Sequence, residues 1–164
     1  MANGKGRNWE AIVYPESARP GWMEYIKECG VKAYISPLHD KDKDEKGNLK
    51  KPHYHVLMMF EGAKTFDSFF ALATKNLGAA RVEEKFSPKG SAAYLCHMNN
   101  PEKYRYDEHE VITCGGARPY IEFCAEDLDP LPVLMEMMEF IEKNKIHSYY
   151  KFSLYCMRSK EIWF

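Results

Sequence analysis

Proline and glycine divide the first 113 residues into short β-prone and helical runs, and the order of those runs most constrains the fold. Asn8–Tyr14 is rich in β-branched and aromatic residues and stops at Pro15, which reads as a strand. Pro20-Gly21 opens a helix over Trp22–Cys29, with Trp22, Tyr25 and Ile26 on one face, and Gly30 ends it. Val31–Leu38 reads as a second strand, Lys41–Lys51 as a polar loop, and Pro52–Phe60 as a third strand, whose first position tolerates proline. Thr65 or Asp67 caps a helix that runs to about Leu77, before Gly78. Arg81–Phe86 is a fourth strand. Ser87 then caps a helix that has Pro88 at its first position and carries Ala92, Ala93, Tyr94 and Leu95. Val111–Thr113 is a last short strand. The order β-α-β-β-α-β-α-β predicts an α+β domain built on a mainly antiparallel sheet flanked by helices.

A change of character marks a boundary near residue 130. Asp129-Pro130 and Pro132 precede Leu131, Leu134, Met135, Met138 and Ile141 at helical spacing, and a second apolar run covers Ile146–Met157. We therefore expect a main domain over 1–129 and a helical segment over 130–164. The final Ile162-Trp163-Phe164 suggests a fragment or an end covered by a partner. No stretch reaches the roughly 18 apolar residues of a membrane span, and the polar N-terminus lacks the apolar core of a signal peptide. The five cysteines are odd in number and have no Cys-x-x-Cys pair, which argues against a disulfide framework or a cysteine zinc cage. A cytoplasmic setting is expected. Net charge is −1, split as +2 over residues 1–109 and −3 over 110–164, so any nucleic-acid surface must be a local patch.

The strongest chemical signal is Lys50-Lys51-Pro52-His53-Tyr54-His55-Val56-Leu57. Strand alternation sends His53 and His55 to one face, where two imidazoles can share a divalent ion; two ordinary surface histidines are the bland alternative. His39 ends the second strand, and Asp42 follows on the loop leading to the His-x-His strand. Pairing of those two strands would gather three nitrogens and a carboxylate, a set suited to Mn²⁺ or Mg²⁺ beside a phosphate. The third element is Gly90-Ser91-Ala92-Ala93-Tyr94-Leu95-Cys96-His97. Tyr94 reads either as a core aromatic or as a phenolic nucleophile, whose attack a metal-polarised phosphate makes feasible. His97 is expected on the same helical face, either orienting Tyr94 or accepting its proton, or merely packing beside it. No phosphate-binding glycine loop, dinucleotide turn or His-Glu-x-x-His helix is present, so no means of binding ATP or a dinucleotide is visible.

In this order the elements resemble the HUH endonuclease superfamily, and more narrowly the replication initiators of rolling-circle plasmids from Gram-positive bacteria. Val13-Tyr14-Pro15-Glu16-Ser17, Ile35-Ser36-Pro37-Leu38-His39-Asp40-Lys41-Asp42-Lys43 and the His-x-His segment all carry the resemblance, and Tyr94-Leu95-Cys96-His97 matches less strictly. The resemblance implies a ferredoxin-like (RRM-like) HUH fold. It implies that His39, Asp42, His53 and His55 bind the metal, usually Mn²⁺ or Mg²⁺, and that Tyr94 attacks one DNA phosphate. The products would be a free 3′-OH and a 5′-phosphotyrosine link, and the strand would later be rejoined. The implied partner is plasmid origin DNA, with a double-stranded binding site and a single-stranded nick site. Self-association through the C-terminal segment and contacts with host replication proteins are further expectations. Lys50, Lys51, Arg81, Lys85, Lys89, Lys103 and Arg105 are candidate phosphate contacts, each with a solubilising surface charge as its alternative. Competing readings are a non-catalytic nucleic-acid-binding module, a metallohydrolase using a metal-bound water, and an HUH transposase or relaxase.

Overall fold

The sheet is organised around one long strand. In the computed structural model, which describes residues 5–125, 138, 141–142 and 145–148, that strand is β3 (Tyr54–Thr65). It is flanked by β1 (Lys5–Val13) and β2 (Lys32–Ile35), and the edges are β4 (Arg81–Glu84) and β5 (Ile112–Cys114). The order is β4-β1-β3-β2-β5, and every neighbouring pair is antiparallel. The helices are α1 (Trp22–Glu28), α2 (Phe66–Leu77), α3 (Pro88–Tyr94) and α4 (Tyr120–Ala125).

The expected order of elements holds, and α4 is added to it. β1 begins earlier than the expected Asn8, and β3 outlasts the expected Phe60 because Lys5 and Gly6 pair with Thr65 and Lys64. β2 is shorter than the expected 31–38 run, since regular pairing stops at Ile35 and resumes only as a single bridge between His39 and His53. Both expected caps form. Thr65 Oγ1 accepts from the Ser68 N–H at 3.2 Å, and Ser87 Oγ accepts from the Gly90 N–H at 3.0 Å. Gly78 ends α2 in the left-handed region at φ 73, and a Cβ there would collide with the Ser17 carbonyl.

The period of two along the strands separates two cores. Trp9, Ala11 and Val13 of β1 and Val56 and Met58 of β3 face α1 and α2, meeting Ile26, Phe69, Ala73 and Leu77. Phe69 is fully buried and stacks on Trp9 with ring centroids 5.3 Å apart. On the opposite face Tyr34 and Leu57 meet Ala92, Leu95, Cys96, Tyr106 and Tyr120. Glu10 and His55 share that second face, which the functional side chains occupy.

The chain divides into compact units over residues 1–125 and 126–164. In the second unit Met138, Ile141 and Glu142 are helical, and the Ile146 N–H bonds the Ile141 carbonyl. The rest of the helices expected at Leu131–Ile141 and Ile146–Met157 lies outside the described residues. Among the described residues Cys29, Cys96, Cys114 and Cys124 are free thiols, and no helix is long and apolar enough to cross a membrane.

Candidate metal and nucleophile site

His53, in the bridge just before β3, and His55, the second residue of β3, share one face as extended-chain alternation requires, although the strand starts at Tyr54 rather than at the expected Pro52. The His39–His53 bridge, with N–H to carbonyl distances of 2.9 and 3.3 Å, brings the end of the second strand to them. Asp42 is held on its loop by the Lys50 N–H, which donates to its backbone carbonyl at 2.7 Å. Ser36 Oγ accepts from the His55 N–H at 2.9 Å, locking the register of the two strands beside the cluster. All four side chains are buried, His39 completely.

The hydrogen-bond partners assign the neutral tautomers. His53 Nδ1 donates to the Lys51 carbonyl at 2.8 Å, His55 Nδ1 to Glu10 Oε1 at 2.6 Å, and His39 Nε2 to the Leu95 carbonyl at 2.8 Å. Each ring is left with one lone pair, and these lone pairs converge. His53 Nε2 and His55 Nε2 face each other at 3.1 Å. His39 Nδ1 is buried without a donor and lies 3.4 Å from Asp42 Oδ2, which is 3.9 Å from His53 Nε2. Opposed lone pairs at this distance repel unless a proton or a cation lies between them. Two adjacent ligand atoms of an octahedral ion, each about 2.1 Å from it and about 90° apart, are about 3.0 Å from each other, close to the 3.1 Å seen. His39, His53 and His55 each place a nitrogen within 4.8 Å of the others, so the residues present fit a single divalent cation.

The electrostatics keep the His53 ring unprotonated and its acidic neighbours ionised. Burial, joined by repulsion from His55 and His39 when those rings are protonated, pulls His53 below its ordinary value, against the opposing pull of the Lys51 carbonyl and Asp42. Burial would raise the Asp42 carboxyl, but the neighbouring His39 and His97, when protonated, and the Tyr106 hydroxyl, which donates to it, hold it well below the carboxylate range. Burial likewise opposes ionisation of Glu10, and the hydrogen bond and charge of His55, helped by Lys85, overcome it.

Tyr94 closes α3, whose preceding residues Ser91, Ala92 and Ala93 are small and buried. Its ring stands edge-on to His55, with centroids 5.7 Å apart at 84°. The expected position of His97 on the same helical face is corrected. The helix stops at Tyr94, and His97 adopts φ 54, turning the chain away. The turn still leaves His97 beside Tyr94, with ring centroids 5.0 Å apart, while its Nδ1 donates to the Tyr104 carbonyl at 2.8 Å. Burial lowers His97 from its ordinary value. His97, His39 and Asp42 form a second convergent group, with Asp42 Oδ1 3.8 Å from His97 Nδ1.

The basic residues divide. Lys50, Lys51, Arg81 and Lys85 line a cleft of about 440 Å³ together with His53, His55 and Tyr94. Lys103 and Lys50 line an adjoining groove of about 550 Å³ with Leu49 and Tyr104. Several of these charges already have acidic neighbours: Lys51 pairs with Glu16, Arg81 with Glu83 at 3.8 Å, and Lys85 with Glu10 at 3.4 Å. Lys89, on α3, and Arg105, which pairs with Glu108, line neither cavity.

Sequence reasoning missed two buried supports of the cluster. Glu10 fixes the His55 tautomer, and the signal was available: it is a lone charge inside the apolar Trp9–Val13 run. Tyr106 stacks on His39 with centroids 4.2 Å apart and rings 4° from parallel, and its hydroxyl donates to Asp42 Oδ1 at 3.1 Å. Nothing local in the sequence announces that role.

Comparison with known proteins places these features in context. The family described as "Plasmid replication protein, origin binding domain" matches residues 1–118. A replication protein of Staphylococcus aureus is 37% identical over 163 residues, covering 99% of this chain and 81% of that protein. The replication protein RepB of Lactiplantibacillus plantarum is 37% identical over 153 residues, covering 93% of this chain and 69% of that protein. RepB of Streptococcus agalactiae is 35% identical over 122 residues, covering 68% and 57% respectively.

Proposed function

Because this chain belongs to the plasmid replication proteins that carry an origin-binding domain, we propose that it nicks and rejoins one strand of its plasmid origin through Tyr94. The observation that carries this reading is the pair of opposed imidazole lone pairs at 3.1 Å beside the Tyr94 ring. His39, Asp42, His53 and His55 are the residues that would hold a divalent ion, Mn²⁺ or Mg²⁺ if the resemblance to rolling-circle initiators carries over. Such an ion, when bound, supplies Lewis-acid polarisation of a phosphate oxygen.

The protein's own groups do the rest. Glu10, the Lys51 carbonyl and the Leu95 carbonyl fix three imidazoles with their lone pairs inward, so no reorganisation is needed when substrate arrives. Tyr94 Oη attacks the phosphorus, the bond to O3′ breaks, and the 5′ phosphate stays on the tyrosine. The phosphodiester energy is kept in that bond, so rejoining by the 3′-OH needs no nucleotide cofactor. Lys50, Lys51, Arg81 and Lys85, which line the cleft, supply phosphate contacts. The setting is the cytoplasm, where plasmid DNA is found. The 126–164 unit serves self-association, and host replication proteins take over the exposed 3′-OH.

The test separates binding from chemistry. His55→Ala is expected to abolish strand cleavage while leaving duplex origin binding within a few-fold of the parent. Equal loss of both in a folded variant contradicts the division of labour. Activity that survives Tyr94→Phe without an adduct favours a metallohydrolase instead.

A further inference from the structure

We propose that Lys103 is a catalytic residue of the strand transfer, its ammonium stabilising charge on Tyr94 Oη both when that oxygen attacks phosphorus and when it is expelled. The inference rests on the reading of Tyr94 as the nucleophile. Lys103 Nζ donates to Tyr94 Oη at 2.6 Å and at the same time lies 4.4 Å from the centre of the Tyr94 ring. The ammonium is therefore held at the reacting oxygen, whereas a solubilising lysine extends its charge into water.

The backbone carrying Lys103 is fastened to the site. His97 at φ 54 turns the chain out of α3, and its Nδ1 donates to the Tyr104 carbonyl at 2.8 Å. The Lys103 N–H donates to the Asn100 carbonyl at 3.0 Å, and the Tyr106 N–H to the Cys96 carbonyl at 3.3 Å. Tyr106 then stacks on His39. The turn is tied on both sides of Lys103, and one of those ties reaches the candidate metal cluster itself. That gives His97 a positioning role through the turn as well as through its contact with Tyr94.

The step balances without an added reagent. In nicking, the Oη–P bond forms and the P–O3′ bond breaks. The phenolic proton leaves to water, the 3′ oxygen gains a proton from water, and Lys103 keeps its own protons throughout. In rejoining, O3′ attacks the phosphotyrosine and the phenolate departs toward the same ammonium. One cation therefore assists both directions, as microscopic reversibility requires. A buried oxyanion donor is worth about a hundred- to a thousandfold in rate, so a half-buried one is expected to contribute about ten- to a hundredfold.

The test is single-turnover cleavage of a saturating single-stranded origin oligonucleotide with Mn²⁺ by the wild-type chain, Lys103→Gln and Lys103→Arg. Rejoining from the covalent adduct is followed in parallel. Lys103→Gln is expected to slow both directions by about ten- to a hundredfold at unchanged melting temperature, with oligonucleotide binding little altered, and Lys103→Arg to recover most of the rate. Weaker binding with a wild-type rate at saturation overturns the proposal and makes Lys103 a phosphate contact only. Equal loss in the Gln and Arg variants overturns it as well. Should Lys103→Gln fail to fold, ¹⁵N spectra of metal-free protein decide. A slowly exchanging lysine ammonium signal that disappears in Tyr94→Phe supports the contact, and absence of such a signal in the wild type refutes it. Absence of any adduct with wild-type protein defeats the nucleophile reading, and the role of Lys103 with it.

Discussion

Replacing Glu10 by leucine tests whether the cluster is built for a cation. Glu10 is 5% exposed, and its Oε1 accepts from His55 Nδ1 at 2.6 Å, a charge-assisted bond that holds the Nε2 lone pair inward. Without an acceptor, the ring must either leave a buried N–H unpaired or move its proton to Nε2, which blocks the ligand position. Loss of such an outer partner typically lowers metal affinity about ten- to a hundredfold, or about 1.4–2.7 kcal/mol. The short bond and deep burial put Glu10→Leu near the upper figure. Glu10→Gln keeps a neutral acceptor and is expected near the lower one. Lys85 is not stranded by either change, because Glu83 Oε2 lies 3.2 Å from its Nζ. Calorimetric titration of Mn²⁺ into the three proteins, with a thermal melt of each in chelator, reads the effect directly. A Glu10→Leu protein that melts like the parent and binds Mn²⁺ within about twofold of it would refute the reasoning, because tautomer control would then be worth almost nothing.

Three further outcomes are expected. Phe69→Ala, which empties a fully buried site stacked on Trp9, should cost about 3–5 kcal/mol, read by urea unfolding. His53 and His97 lie below the ordinary imidazole value of 6.5, so as pH falls below 6.5 the unfolded chain takes up protons that the fold refuses. Stability of metal-free protein should therefore decline with falling pH in that window, and a flat melting temperature between pH 7 and 5.5 would contradict the assignment. Removal of metal with chelator should stop strand cleavage while leaving duplex origin binding unchanged, as measured by mobility shift.

Much of this architecture was legible because local signals and long-range pairing agree. Thr65 and Ser87 announce their helices with the caps they form. The His-x-His alternation fixes which face the imidazoles take, and the bridge from His39 to His53 confirms that the two strands meet. The misses have physical causes. The tail of β3 is polar, with Glu61, Gly62 and Lys64, and exists as a strand because β1 lends it a ladder, so its own composition did not reveal it. His97 takes a left-handed backbone without being glycine, and the Tyr104 carbonyl that secures the turn is seven residues away. Glu10 reaches His55 across 45 positions, and Tyr106 reaches Asp42 across 64. Local periodicity carries no information about such partners. The basic residues were equally opaque: sequence proximity grouped Lys89 and Arg105 with Lys50 and Lys103, and only the fold separates those that line the cavities from those that do not.

The most direct test of the central claim is a covalent-adduct assay. Wild-type protein and Tyr94→Phe are incubated with Mn²⁺ and a labelled single-stranded origin oligonucleotide, then resolved on a denaturing gel. The account predicts a slow, protease-sensitive labelled band with the wild-type protein alone. Cleavage by both proteins without that band would contradict it.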